Sequence, residues 1–195
     1  MYYKFDIMEI TMIRHTSVAV PKGVCYGQSD VALAPTFEEE AAVVKDCLHD
    51  CRFDAVYCSP LSRCRLLADY CGYGDAVLDT RLMEMNFGEW EMLRFDEIVD
   101  PRFQYWYADY INTRVPGGES FRDQQERVKS FLSEMATSGL DKIGVFTHGG
   151  VIMQTMLLTG MATTDNVFSM QPPYGAVVRF DIRGLSFKSQ PNSNS

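Results

Sequence analysis

The chain has 195 residues, 46% of them apolar and 23% charged, with a formal net charge of −8. That length suffices for one domain with a substantial core. The acidic balance argues against a nucleic-acid backbone or an anionic membrane as the main partner, and no apolar run reaches the length of a membrane span. A small anionic ligand stays compatible, because the local charge of a site can oppose the global one. Met1 to Asp6 lacks the basic and apolar blocks of a signal peptide, which sets the expectation of a cytoplasmic protein, with Met8 an alternative start. Without an export signal, Cys25, Cys47, Cys51, Cys58, Cys64 and Cys71 are expected to be reduced thiols. No C-x-x-C occurs, and neither His15 nor His148 stands at zinc-ligand spacing from a cysteine.

The first expected strand, Ile10 to Ile13, stops abruptly on Arg14 and His15. A strand ending on two polar groups delivers them to the carboxyl edge of a sheet, where open α/β folds bind ligands. The segment from Thr16 to Pro35 is long for a loop, which favours a functional role. Thr36 and Glu39 then read as a capping box opening a helix to about Asp50, with Val44, Cys47, Leu48 and Cys51 as its apolar stripe. A short strand at Ala55 to Cys58 is followed by a helix over Ser62 to Cys71, with Arg63 in its first turn. Helix N-termini attract anions, and an anion would explain an arginine placed there.

Ala76 to Leu78 is a third strand, and Glu84 follows it closely. Phe95 to Tyr110 reads as mostly helical, interrupted at Pro101, and is crowded with Phe95, Phe103, Tyr105, Trp106, Tyr107 and Tyr110. Such rings can overhang a pocket and stack on a flat base, or simply pack the segment down. Pro116 to Ser120 is a turn, and Ser120 with Asp123 caps a helix that carries Phe121, Val128, Phe131, Leu132 and Met135 on one face and ends near Gly139. A central strand, Lys142 to Thr147, ends on His148-Gly149-Gly150. A helix over Val151 to Leu158 and a final edge strand over Ala176 to Asp181 complete the pattern, and the polar tail 186–195 is expected to be disordered. Alternating strands and helices predict a three-layer α/β/α sandwich with a mostly parallel central sheet, one domain with its core at about residues 8–182.

His15, Arg63, Glu84 and His148 each fall just beyond a predicted strand. Their chemistries are complementary. Two arginines can clamp a phosphate, a histidine can attack phosphorus, and a carboxyl group can protonate a leaving alcohol. Gly149 and Gly150 open a helix whose N–H groups could face the same anion. Taken singly, Glu84 is equally a solvated loop acid and His148 a helix-start histidine.

Arg14-His15 after an apolar strand, Ser59-Pro60-Leu61-Ser62-Arg63, Glu84 within Glu84 to Glu91, and Thr147-His148-Gly149-Gly150 together resemble the histidine phosphatase superfamily, the phosphoglycerate-mutase-like fold. The resemblance spans about residues 8–182 and keeps the motif order. It implies that His15 is transiently phosphorylated, that Arg14, Arg63 and His148 hold the phosphoryl group, and that Glu84 donates the proton. It implies no metal and no organic cofactor. The substrate would be a small phosphate ester.

Two positions depart from the family pattern. Thr16 replaces the usual glycine, and its hydroxyl can contact phosphate although a β-branched residue restricts the backbone. The asparagine common about six residues after the histidine is absent near Pro21, so relative to the family one phosphate ligand is either missing or replaced by Gln28. Cys25 to Leu33, with Tyr26, Gly27 and Gln28, and Pro116 to Ser120 look most like the α-ribazole phosphatases of cobalamin assembly. A broad-specificity phosphatase, a cofactor-dependent phosphoglycerate mutase and a silent phospho-ligand binding module are the competing readings.

Overall fold

The computed structural model describes residues 8–182, so the tail expected to be disordered lies outside the described residues. Five strands, β1 (Glu9–Arg14), β2 (Ala55–Cys58), β3 (Val77–Leu78), β4 (Lys142–Thr147) and β5 (Val177–Asp181), form one sheet in the order β3-β2-β4-β1-β5. β3, β2, β4 and β1 run parallel to one another, and β5 pairs antiparallel to β1. Both faces are covered, so β1 and β4 read as continuous apolar runs rather than alternating ones.

On one face Ile13, Phe146 and Cys58 meet α1 (Phe37–Cys47) and α2 (Ser62–Tyr70) through Ala41, Val44, Cys64 and Leu67. On the other, Ile10, Met12, Ile143 and Val145 meet α4 (Phe121–Met135) and α5 (Gly149–Leu158). This is the three-layer sandwich that the sequence predicts. Apart from both layers, α3 (Arg102–Ala108) belongs to a separate aromatic cluster built on Met85, Trp90 and Val115 with Phe87, Phe103 and Trp106. The segment expected to be mostly helical from Phe95 holds only a single 3₁₀ turn, Phe95–Glu97, before Pro101 opens α3.

The capping box at Ser120 and Asp123 forms, with both reciprocal bonds present. The one expected at Thr36 and Glu39 does not. Thr36 makes no side-chain cap, and its hydroxyl donates instead to Glu40, whose other oxygen accepts the Ser17 N–H at 2.8 Å. Glu40 thus ties the loop after His15 to the start of α1, and that long-range bond wins over the local cap. α1 also stops at Cys47 rather than Asp50, leaving Cys47 exposed, and its buried stripe is Ala41, Val44 and Leu48.

The loop from Thr16 to Pro35 folds back on itself through a bridge between Val18 and Leu33. Its far end is gathered by Glu91, whose carboxylate accepts the N–H groups of Gly27, Gln28, Ser29 and Phe87. Burial raises the Glu91 pKa, and those N–H bonds outweigh it and hold the group below its ordinary value. Gly27 comes so close to the Met85 carbonyl that any side chain there would overlap it. All six cysteines are free, and no three His, Cys, Asp or Glu among the described residues are grouped for a metal ion. No described helix is long and apolar enough to cross a membrane.

Candidate active site

In-register pairing of β1 with β4 sets Arg14 against Thr147, so His15 and His148 leave the sheet side by side. Their rings stand 5.2 Å apart, edge to face. The His15 backbone is fixed on both sides, donating to the Thr147 carbonyl and accepting from Gly175 N–H. Its Nδ1 lies 2.7 Å from the Thr16 carbonyl. A carbonyl only accepts, so Nδ1 carries the proton and the Nε2 lone pair is free to attack. Burial first, then Arg63, and more weakly Arg14, lower the His15 pKa to about 3 against the opposing bond to Thr16. The ring is therefore a neutral nucleophile at ordinary pH.

Arg14 donates through Nη1 to the Pro172 carbonyl and lies over the Tyr174 ring at 4.2 Å. Arg63 is fully buried, donates to the Ser29 and Gly27 carbonyls, and lies over Tyr26 at 5.5 Å. The N-terminus of α2 that carries it is already occupied by Asp30, which accepts from Ser62 N–H and hydroxyl. Nε of both arginines and the Thr16 hydroxyl are buried with no hydrogen-bond partner among the described residues. Unpaired buried polar groups are costly, about 1–3 kcal/mol each. A phosphoryl group gathered by these atoms would satisfy them. His148 is fully buried, with Nε2 2.8 Å from the Ser59 hydroxyl and 3.4 Å from the Cys64 sulfur. Burial, then Arg63 and His15, push its pKa well down.

Glu84 is held by three N–H groups: Met85 and the Gln124 amide on Oε1, each at 2.9 Å, and Gly150 on Oε2 at 3.0 Å. The Gly150 N–H at the start of α5 thus meets the glutamate rather than facing an anion as the sequence suggested. Arg127 fixes the backbone beneath, donating to the carbonyls of Arg81, Met83 and Glu84.

A cavity of about 970 Å³ opens here, and Arg14, His15 and Glu84 share its wall. Tyr26 also lines it. Thr16, Gly27, Gln28, Arg63, His148 and Gly149 are not among its lining residues, although His148 adjoins the His15 ring and Arg63 lies over the lining Tyr26. Gly27 and Gln28 serve the loop, with the Gln28 amide donating to the Glu84 carbonyl at 3.0 Å. Gly149 packs close to Arg14, where a methyl would lie 3.2 Å from Cζ. The outer wall is aromatic, including Phe87, Phe95, Trp106, Tyr107, Tyr110, Phe121 and Phe168. Phe103 and Tyr105 are not part of it. Sequence reasoning missed Ser59 as the partner of His148, Gln124 and Arg127 as supports of Glu84, and the turn Gln171 to Tyr174. Gln124 shares the helical spacing of Phe121, Val128 and Phe131 on the buried stripe of α4, which was a signal for its burial but not for its partner; Arg127 carried none.

A family model for the histidine phosphatase superfamily, branch 1, matches residues 10–190. The chain is 28% identical over 153 residues to the adenosylcobalamin/alpha-ribazole phosphatase of Salmonella typhimurium, covering 74% of this chain and 76% of the relative. It is 25% identical over 157 residues to phosphoserine phosphatase 1 of Hydrogenobacter thermophilus, covering 77% and 74%. The structure of the alpha-ribazole phosphatase from Shigella flexneri superposes with a TM-score of 0.80 at 24% identity, covering 91% and 92%, and shares the fold. The chain belongs to the histidine phosphatase superfamily.

Proposed function

We propose that this histidine phosphatase superfamily member hydrolyses phosphate monoesters through a phosphohistidine on His15. The observation that carries the reading is the neutral His15 with Nδ1 locked to Thr16, on the same cavity wall as Glu84. In the first step the Nε2 lone pair of His15 attacks phosphorus, the ester P–O bond breaks, and Glu84 supplies the proton that the leaving oxygen needs. In the second, Glu84 takes a proton from water as its oxygen attacks phosphorus, the P–N bond breaks, and inorganic phosphate leaves. Arg14, Arg63 and His148 hold the phosphoryl oxygens, with the Thr16 hydroxyl as an added donor.

For the substrate, we favour an ester carrying a bulky flat group, α-ribazole 5′-phosphate or cobalamin 5′-phosphate. The size and aromatic lining of the cavity support this, as does the named activity of the Salmonella relative. Phosphate release from a panel containing α-ribazole 5′-phosphate, phosphoserine and p-nitrophenyl phosphate, with and without 2,3-bisphosphoglycerate, tests it. The reading expects hydrolysis independent of the bisphosphate and the highest kcat/KM on the nucleotide-like ester. Phosphoryl transfer to 3-phosphoglycerate instead of water would make the protein a mutase. Tight ester binding without turnover would make it a silent binding module.

A further inference from the structure

Gln124 is fully buried in the first turn of α4 and lines the cavity beside Glu84. Its Nε2 donates to Oε1 of Glu84 at 2.9 Å, while its Oε1 is buried with no partner among the described residues. The orientation of the amide is determined by its neighbour. Oε1 of Glu84 already accepts the Met85 N–H, so Gln124 must turn its NH₂ towards Glu84 and its oxygen away. The first turn is rigid. Ser120 and Asp123 cap it reciprocally, and Gln154, itself buried, donates to the Phe121 carbonyl at 2.8 Å while accepting from Gln125.

One amide thus performs two tasks. Its NH₂ orients the group that protonates the leaving oxygen, and its oxygen, one amide width away, needs a donor that no described residue supplies. We infer that Gln124 is a positioning and specificity residue: it orients Glu84 and accepts a hydrogen bond from a hydroxyl of the leaving group, on one of the two carbons beyond the esterified one. The site therefore selects phosphate esters of polyols and sugars over those of simple alcohols. A substrate without that hydroxyl leaves the buried oxygen unpaired, and buried unpaired groups are what make hydrogen-bonding sites discriminate. The inference rests on the hydrolase reading of the site.

The test compares sn-glycerol 1-phosphate with propyl phosphate in wild type and in Gln124→Met, which keeps the side-chain length and removes both hydrogen-bonding ends. Wild type should favour the glycerol ester in kcat/KM by about 10-fold or more, and in Gln124→Met the ratio should collapse towards one whatever the absolute rates. A merely structural role would lower both esters together and keep the ratio. Gln124→Leu is read in the same way if the methionine variant does not fold. A wild-type ratio near one, or a large ratio that persists in the variant, overturns the inference. Quenched wild type with labelled p-nitrophenyl phosphate separates the two levels. With no trapped phosphohistidine the hydrolase reading itself fails, whereas trapped label with an unchanged ratio removes only the role of Gln124.

Discussion

The amide nitrogen of Gly150 lies 3.0 Å from Oε2 of Glu84, and a methyl built on Gly150 would overlap Oε1 of the same carboxylate and lie 2.8 Å from Nε2 of Gln124. The first turn of α5 thus both holds the proposed proton donor and leaves no room for it to move. Gly150→Ala is therefore expected to displace Glu84 while the helix, which accepts alanine better than glycine by about 1 kcal/mol, stays intact. Turnover of alkyl phosphates should fall by roughly the 10²–10⁴ that general-acid catalysis contributes, with a much smaller loss on p-nitrophenyl phosphate, whose leaving group needs little protonation. Glu84→Gln should show the same selectivity. Equal losses on both ester types in Glu84→Gln would remove Glu84 from the acid role.

This clamp shows which parts of the site are legible in a sequence. Arg14, His15 and His148 are, because each follows an apolar strand whose register is fixed by burial on both faces, and the sheet does the rest. The strands themselves could be read almost to the residue for the same reason. The fate of hydrogen bonds between distant segments could not. Arg14 reaches the Pro172 carbonyl 158 positions away, and Glu40 rather than Glu39 was recruited by Ser17. Gln28 had the right chemistry for a phosphate ligand, but its amide donates to the Glu84 carbonyl, which also accepts from Arg127. Gln124 stands in the sequence as one polar residue within the apolar stripe of α4, and only the fold shows that Glu84 is its partner.

The nucleophile prediction follows from the Nδ1 bond of His15 to the Thr16 carbonyl. His15→Ala should abolish turnover, because in the proposed mechanism Nε2 of His15 is the attacking atom and the covalent step depends on it. Rapid quenching of wild type with labelled ester should trap label that is labile to acid and stable to base. Substantial turnover by a well-folded His15→Ala protein would contradict the mechanism.

A pH prediction follows from the burial of the same ring. Folded His15 binds its proton only at about pH 3, against 6.5 for the free side chain. Between those values the unfolded chain holds more protons, so this group costs stability as the pH falls below about 6.5. One such histidine can contribute a slope of up to ~1.4 kcal/mol per pH unit. His148, depressed by burial and then by Arg63 and His15, acts in the same direction. Thermal melts from pH 7 to 5 should show Tm falling for wild type, and less steeply for His15→Asn. Identical slopes in the two proteins would mean that His15 is not held neutral by the fold.

The aromatic wall separates into two kinds of ring. Trp106 is half-buried among Trp90, Phe103, Phe95 and Phe87, at centroid distances of 5.6, 5.7, 6.3 and 6.4 Å. Tyr107 is 74% exposed and touches only Phe103 in this cluster, at 6.2 Å, yet both side chains line the cavity. Truncating Trp106 to leucine should therefore lower stability as well as binding, by about 2 kcal/mol, a Tm drop of roughly 4–8 °C for a chain of this size. Tyr107→Leu removes little packing and should leave Tm nearly unchanged. If Tyr107 stacks on the flat base of α-ribazole 5′-phosphate, losing about 0.5–1.5 kcal/mol of ring contact raises KM for that ester by about 2- to 10-fold. For p-nitrophenyl phosphate, which lacks the ribazole base, KM should hold. The split between the two esters is the decisive readout, because a change of fold would move both. Parallel changes in KM for the two substrates, or none for either, would assign the rings to the packing of α3 alone.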